Sequence, residues 1–142
     1  MVGGSARRGR RTELAVAGIT PPPELPGDWS AASGYRNGLI LARVPDATAV
    51  FVASDEMAFG VIRGLVEHGR RVPENVSVTS DDIPLAAYCS PPLTTIAQPF
   101  RDIGRIAVEH LLRTISDPGA VTTDQAIEPT LVIRESTAAP GA

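Results

Sequence analysis

The chain has 142 residues, 43% of them hydrophobic and 20% charged, which fits one globular domain and excludes a fibrous or wholly disordered chain. No apolar stretch approaches the roughly 18 residues of a membrane span, no signal-peptide core follows Met1, and the lone Cys89 cannot form an internal disulfide, so we expect a cytoplasmic protein. The net charge is −3, and residues 12–142 carry nine arginines against 16 acidic residues, so the body of the chain should repel nucleic acid.

Helical and strand patterns alternate along the sequence. In chain order we predict a flexible start over residues 1–5, helices over 7–17 and 30–43, a strand over 48–53, a helix over 56–68, a strand over 75–79, a loop over 80–93, a crossing strand over 93–96, a helix over 100–115 and a strand over 127–133. Ser30 is placed to cap the second helix, and Ser54 and Asp55 are placed to cap the third. This alternation predicts an α/β fold, a mostly parallel sheet with flanking helices.

The helix over residues 56–68 is apolar over a wide arc. Its apolar side chains cover roughly 200° of the helix circumference, whereas a single core contact needs about 100°. Either the helix is sandwiched inside the chain, or its second face meets another subunit. An exposed apolar patch is a liability on a monomer, so we predict a homodimer.

The sequence has no recognised catalytic motif. It contains no Gly-x-Ser-x-Gly elbow, no phosphate-binding glycine loop, no His-Glu-x-x-His and no paired cysteines, so we predict no enzyme, no cofactor and no metal site. Asp81 and Asp82 can form an acid/base pair or only a turn. Cys89 has no nearby base, which predicts an inert thiol.

Polar residues follow the predicted strands. Ser54 comes directly after the strand over residues 48–53, and Asp81 and Asp82 come after the strand over 75–79. Ligands of open parallel sheets bind at the carboxyl ends of the strands, so these positions are candidates for a binding site. The only tryptophan, Trp29, can stack on a sugar or base, or pack as a staple on the helix that it precedes.

Six segments carry a resemblance to a known family. They are 27–35 (GDWSAASGY), 51–58 (FVASDEMA), 69–77 (GRRVPENVS), 81–88 (DDIPLAAY), 91–100 (PPLTTIAQPF) and 134–137 (REST). In this order they closely resemble the effector-binding domain of LacI/GalR-family bacterial transcription regulators.

The resemblance implies a fold similar to that of periplasmic sugar-binding proteins, with two α/β subdomains around a ligand cleft. The chain would then be a partial domain over residues 1–142, mainly the C-terminal subdomain, and the helix within residues 97–116 would belong to the other subdomain. It also implies a homodimer, a small effector (a sugar or nucleobase, held weakly by this portion alone), no membrane partner, and operator DNA contacted only through a helix-turn-helix that this sequence does not contain.

The resemblance extends to individual residues. It implies ligand contacts for Trp29, Ser54, Gln98 and one of the pair Asp81 and Asp82. Ser54 stands where many members of the family have an asparagine.

The family's dimer interface is formed by the helix over residues 56–68 and the segment 84–88. The resemblance therefore implies an interface in this chain at Met57, Val61, Leu65 and Tyr88.

Two rival functions and one local ambiguity remain open. The chain can be a periplasmic or transport-linked sugar-binding protein of the same fold, or a small α/β enzyme. The basic cluster of Arg7, Arg8, Arg10 and Arg11 can be a nucleic-acid arm or the solvated face of the first helix.

Overall fold

The computed structural model describes residues 3–81, 84–117, 119 and 126–140, with only the backbone for residues 3–7. The elements are α1 (Gly3–Val16), α2 (Ala31–Leu41), β1 (Ala49–Phe51), α3 (Asp55–Glu67), β2 (Ser77–Asp81), a 3-10 helix (Pro84–Tyr88), β3 (Thr94–Ala97), α4 (Phe100–Ser116) and β4 (Thr130–Val132). The strands form one sheet in the order β1-β2-β3-β4; the first three are parallel and β4 is antiparallel. The predicted α/β fold with a mostly parallel sheet is confirmed.

Several boundaries differ from the predicted ones. α1 begins at Gly3, so residues 3–5 of the predicted flexible start are helical, whereas residues 1–2 lie outside the described residues. β2 runs two residues further than predicted because its ladder with β3 continues until Asp81 pairs with Ile96. The predicted loop over 80–93 also holds the 3-10 helix.

The core lies between α3 and one face of the sheet. Its largest fully buried apolar side chains are Leu65, Leu93, Val61, Val76 and Val78. Both ends of α3 are set by local signals. Ser54 caps its first turn, and Gly69, with a φ of 77°, follows its last turn in a left-handed conformation. Capping by Ser54 is therefore confirmed.

α2 and α3 pack against each other through glycines. Gly34 and Gly38 lie one turn apart on α2, and Gly60 and Gly64 lie one turn apart on α3. A Cβ atom at Gly60 would lie 2.0 Å from the carbonyl oxygen of Ala31. The two helices therefore touch backbone to backbone, a contact that no larger residue allows.

The segment around Ser136 lies between the amino ends of β2 and β3, before the point at which these two strands begin to pair. Ser136 is fully buried there, and its hydroxyl donates to the Val78 carbonyl (2.6 Å) and accepts from the Thr94 amide (2.8 Å). The Val78 amide donates in turn to the Ser136 carbonyl. This segment thus joins the amino ends of the two central strands.

α4 stands apart from the core. None of its residues is buried, and its exposed apolar side chains are Phe100, Ile103, Val108, Leu111, Leu112 and Ile115. Across the ranges that the structure describes, no helix is both long and apolar enough to cross a membrane.

Candidate functional site

Four predicted ligand residues lie at one edge of the sheet. Because β1, β2 and β3 are parallel, their carboxyl ends share this edge, where β2 ends at Asp81 and where Ser54 and Gln98 follow β1 and β3. α2 begins at the same edge, since the glycine contacts set its first turn beside the first turns of α3. We call these residues the carboxyl-edge group: Trp29, Ser54, Asp81 and Gln98.

Ser54 and Asp81 occupy different local settings in this group. The Ser54 hydroxyl accepts a hydrogen bond from the Met57 amide (3.3 Å) and keeps its own proton for another acceptor. Asp81 is the last residue of β2 and is half-buried. Asp82 lies outside the described residues, so its predicted ligand contact remains a prediction.

A tight turn presents Trp29. Within the described ranges it is the one residue other than glycine with a positive φ, 70°, and its side chain is 54% exposed. The carboxylate of Asp28 reaches across it, with one oxygen accepting from both the amide and the hydroxyl of Ser30. The staple alternative for Trp29 is not favoured, because a packed indole would lie buried.

The turn that contains Trp29 is hydrogen-bonded to α2 and packs against α3. The Asp28 amide donates to the Ser33 hydroxyl (3.2 Å), and the Arg36 guanidinium lies 3.5 Å from the second carboxylate oxygen of Asp28. Gly27 is close enough to Met57 that a Cβ would lie 2.1 Å from its terminal methyl. Asp28 and Ser33 were not predicted as site residues from the sequence, although an Asp two residues before a helix-capping Ser is a known turn signal.

The hydrogen bonds from Ser30 and Ser33 lower the pKa of Asp28 to about 2. Because the pKa in the folded chain lies below the unfolded value, this carboxylate stabilises the fold above about pH 4, and its contribution is lost as the pH falls through about 2. We expect Ser30→Ala to raise the pKa of Asp28 towards 3.8, since the Ser30 hydroxyl is the largest cause of the shift. The measurement is a carboxyl ¹³C NMR titration, in which an unchanged Asp28 midpoint would contradict the expectation.

A second surface feature is a groove beside α3. It is lined by Phe59, Ile62, Arg63, Val66, Cys89 and Ser90. The thiol of Cys89 donates to the Pro91 carbonyl (2.9 Å), and burial raises its pKa above the usual value. A protonated, hydrogen-bonded thiol is a weak nucleophile, which agrees with the predicted inert cysteine.

The structure corrects most of the predicted dimer interface. Met57, Val61 and Leu65 are at most 7% exposed, because α3 is sandwiched between α2 and the sheet. The internal alternative therefore holds for this part of the apolar arc, and these three side chains have no surface to offer a second subunit. Phe59 and Val66, on another part of the same arc, line the groove beside α3. Tyr88 is 85% exposed and stays a candidate.

Across the described ranges, no group of three or more His, Cys, Asp or Glu residues could hold a metal ion. The chemistry that the carboxyl-edge group offers is stacking and hydrogen bonding.

An open, mostly parallel sheet with polar side chains at the carboxyl ends of its strands defines an α/β ligand-binding domain. A family model described as a periplasmic binding protein-like domain matches residues 4–137, and the chain belongs to that family.

The relatives of the chain are transcription regulators, which confirms the resemblance drawn from the sequence. The chain is 41% identical over 126 residues to the lactose operon repressor of Escherichia coli, covering 86% of this chain and 34% of the relative. It is 43% identical over 98 residues to the ribose operon repressor of Haemophilus influenzae, covering 68% of this chain and 30% of the relative. The chain thus spans about a third of the length of these relatives.

Solved structures show the same likeness in three dimensions. A LacI-family regulator from Enterococcus faecium with bound ribose matches with a TM-score of 0.82 and 36% identity, over 92% of this chain and 49% of that one. A lac repressor dimer bound to operator and an anti-inducer matches with a TM-score of 0.84 and 38% identity, over 93% of this chain and 46% of that one.

Proposed function

We propose that this chain is the effector-binding and dimerisation portion of a LacI-family transcriptional repressor, and that its effector is a small molecule of the sugar class. The observation that carries the proposal is that the carboxyl ends of β1, β2 and β3 share the edge where the carboxyl-edge group lies, in a chain whose relatives include sugar-operon repressors. Structures of two such regulators hold ribose and cellobiose.

The carboxyl-edge group offers the contacts that a sugar needs. The exposed face of Trp29 can stack on the apolar C–H face of a pyranose or furanose ring. The carboxylate of Asp81 accepts hydrogen bonds from sugar hydroxyls, and the amide of Gln98 can both donate and accept. Asp82 is a further candidate acceptor beside Asp81.

The remaining parts of the proposal follow from this role. The effector is bound and released unchanged, so the chain is not an enzyme. Operator DNA is contacted by a helix-turn-helix outside this sequence, and the protein acts in the cytoplasm, where that DNA lies. α4, whose apolar side chains are exposed, belongs to the second subdomain of the domain.

Effector binding can be tested with the chain alone, because Trp29 is its only tryptophan and reports on ligands that stack on it. We expect ribose, glucose or adenosine to change its fluorescence with a Kd of about 1 mM, or roughly −4 kcal/mol, because one edge of one sheet encloses only part of a ligand. Asp81→Ala should abolish the change, whereas Asp46→Ala, in the exposed loop before β1, should not. If neither ribose nor glucose changes the signal up to about 100 mM, any free energy of binding more favourable than about −1.4 kcal/mol is excluded for these sugars, and the proposed sugar-effector role fails.

Dimerisation is assigned to the groove beside α3 and the 3-10 helix next to it. Leu85 and Tyr88 of that helix are 60% and 85% exposed, and they continue the apolar lining that Phe59 and Val66 provide. In a two-fold dimer the same patch is used by both subunits, so each apolar contact is made twice.

We expect Tyr88→Asp to weaken the dimer by about 30-fold in Kd, the effect of losing an interface anchor worth roughly 2 kcal/mol. Sedimentation equilibrium of the wild type and the variant measures this. Leu112→Asp, at an equally apolar but separate position on α4, is the control and should leave the dimer constant unchanged. A monomeric wild type at micromolar concentration would refute the assignment.

A further inference from the structure

The backbone at Trp29 is held in a conformation that its side chain disfavours. A φ of 70° is common for glycine, but for a bulky residue it brings the Cβ atom too close to the backbone. Such a conformation persists only where the surroundings fix it, and it is found most often at functional sites.

The indole of Trp29 is not a core side chain that could fix this conformation by burial. The Trp29 side chain is more than half exposed, so the ring gains little from burial in this chain. The bonds that hold the turn belong to its neighbours: Asp28 accepts from Ser30 on the far side of Trp29, and its own amide donates to Ser33. Ser33 is 3% exposed, so the anchor at the α2 end is fixed within the fold.

We propose that Asp28 is a positioning residue for the ligand contact made by Trp29. The Asp28 carboxylate accepts hydrogen bonds from Ser30, on the other side of Trp29, and thereby holds the Trp29 backbone in the left-handed conformation. The backbone conformation in turn sets the direction in which the indole face points. The proposal rests on the proposed effector-binding function. Asp28 need not touch the ligand, because it acts through the orientation of the ring.

The energetic consequence concerns preorganisation. Without the bridge, Trp29 can relax to an ordinary negative φ, which turns the ring away from its present direction. The effector then binds only those protein molecules in which the Trp29 ring still points in its original direction. If that fraction falls to about one tenth, the apparent Kd rises about tenfold without the loss of any direct contact.

The test uses the near-ultraviolet circular dichroism of Trp29 together with a ribose titration of the full chain. Asp28→Ala should reduce the tryptophan band and raise the ribose Kd about tenfold, while the far-ultraviolet spectrum stays that of the folded chain. Asp28→Asn keeps an acceptor oxygen in the same place and should restore most of the tryptophan band and of the affinity. Asp46→Ala, which removes a carboxylate from an exposed loop, should change neither.

The two measurements separate the inference from the proposed function. An Asp28→Ala chain with an unchanged tryptophan band, or with a changed band and an unchanged ribose Kd, would overturn the positioning role. If the wild type binds neither ribose nor glucose, the proposed effector function fails, and the tryptophan band still decides whether Asp28 holds Trp29. Should Asp28→Ala not fold, Ser30→Ala removes one of the two bonds that the carboxylate accepts from Ser30, and it should shift the band in the same direction.

Discussion

Replacing Gly60 by alanine is expected to destabilise the domain by about 3 kcal/mol, the upper end of what overpacking costs. The added methyl carbon would lie 2.0 Å from the Ala31 carbonyl oxygen and 2.5 Å from the Tyr35 amide nitrogen. Both of these atoms belong to the backbone of α2, so no side chain can rotate away and the two helices must separate. Since small domains are stable by only about 5–15 kcal/mol, this loss is a large share of the total.

The matched control for Gly60→Ala is Gly104→Ala. Gly104 also lies inside a helix, α4, but nothing lies within 4 Å of a Cβ atom there. Alanine has the higher helix propensity, so this variant should gain about 0.5–1 kcal/mol. Urea unfolding followed by circular dichroism measures both variants, and equal changes of the same sign would contradict the close contact between α2 and α3.

Replacing Ser136 by alanine should cost about 2–4 kcal/mol, because two buried backbone groups lose their partner at once. The Val78 carbonyl and the Thr94 amide face the gap between β2 and β3, and the Ser136 hydroxyl bonds to both. Ser136 is fully buried, and alanine leaves no space in which water could replace the hydroxyl with good geometry. The free energy of unfolding from urea titration is the measurement.

Ser77→Ala provides the comparison for Ser136→Ala. The Ser77 hydroxyl also makes two backbone hydrogen bonds, donating to the Ala138 carbonyl and accepting from the Ala138 amide, both at 3.1 Å. These bonds are accessible to solvent, so water can take the place of the hydroxyl and the loss should stay within about 1 kcal/mol. A Ser136→Ala effect no larger than the Ser77→Ala effect would show that burial of the Ser136 bridge contributes little.

Local signals accounted for the element order and the helix caps. Ser30 was predicted as one N-cap, and Ser54 and Asp55 as candidates for another. In the structure the Ser30 and Ser54 hydroxyls each accept an amide hydrogen bond from the turn that follows, whereas Asp55 is the first residue of α3. Such caps can be found in sequence because donor and acceptor are only three residues apart. The polar residues that follow parallel strands also identified the edge at which the carboxyl-edge group lies, since parallel strands end on the same side of a sheet.

Contacts between distant segments could not be predicted in this way. The wide apolar arc of α3 indicated two buried faces, but periodicity does not tell whether the second face meets another subunit or the glycines of α2. The hydrogen bond from Ser136 to Val78 joins residues 58 positions apart. No local sequence pattern predicts that a serine will bond to a strand carbonyl in place of a neighbouring strand. The groove beside α3 likewise forms only when Val66 and Cys89 come together in space.

Local propensity and an ordered series of motifs were enough to predict the fold class and the family, and they singled out the candidate ligand residues at the carboxyl ends of the strands. That Met57, Val61 and Leu65 belong to the core became visible only in three dimensions, because their burial depends on how closely the glycines let α2 approach α3. The tertiary structure also decided how Trp29 is presented, since the left-handed turn depends on the bonds that Asp28 makes to Ser30 and Ser33 once α2 has formed.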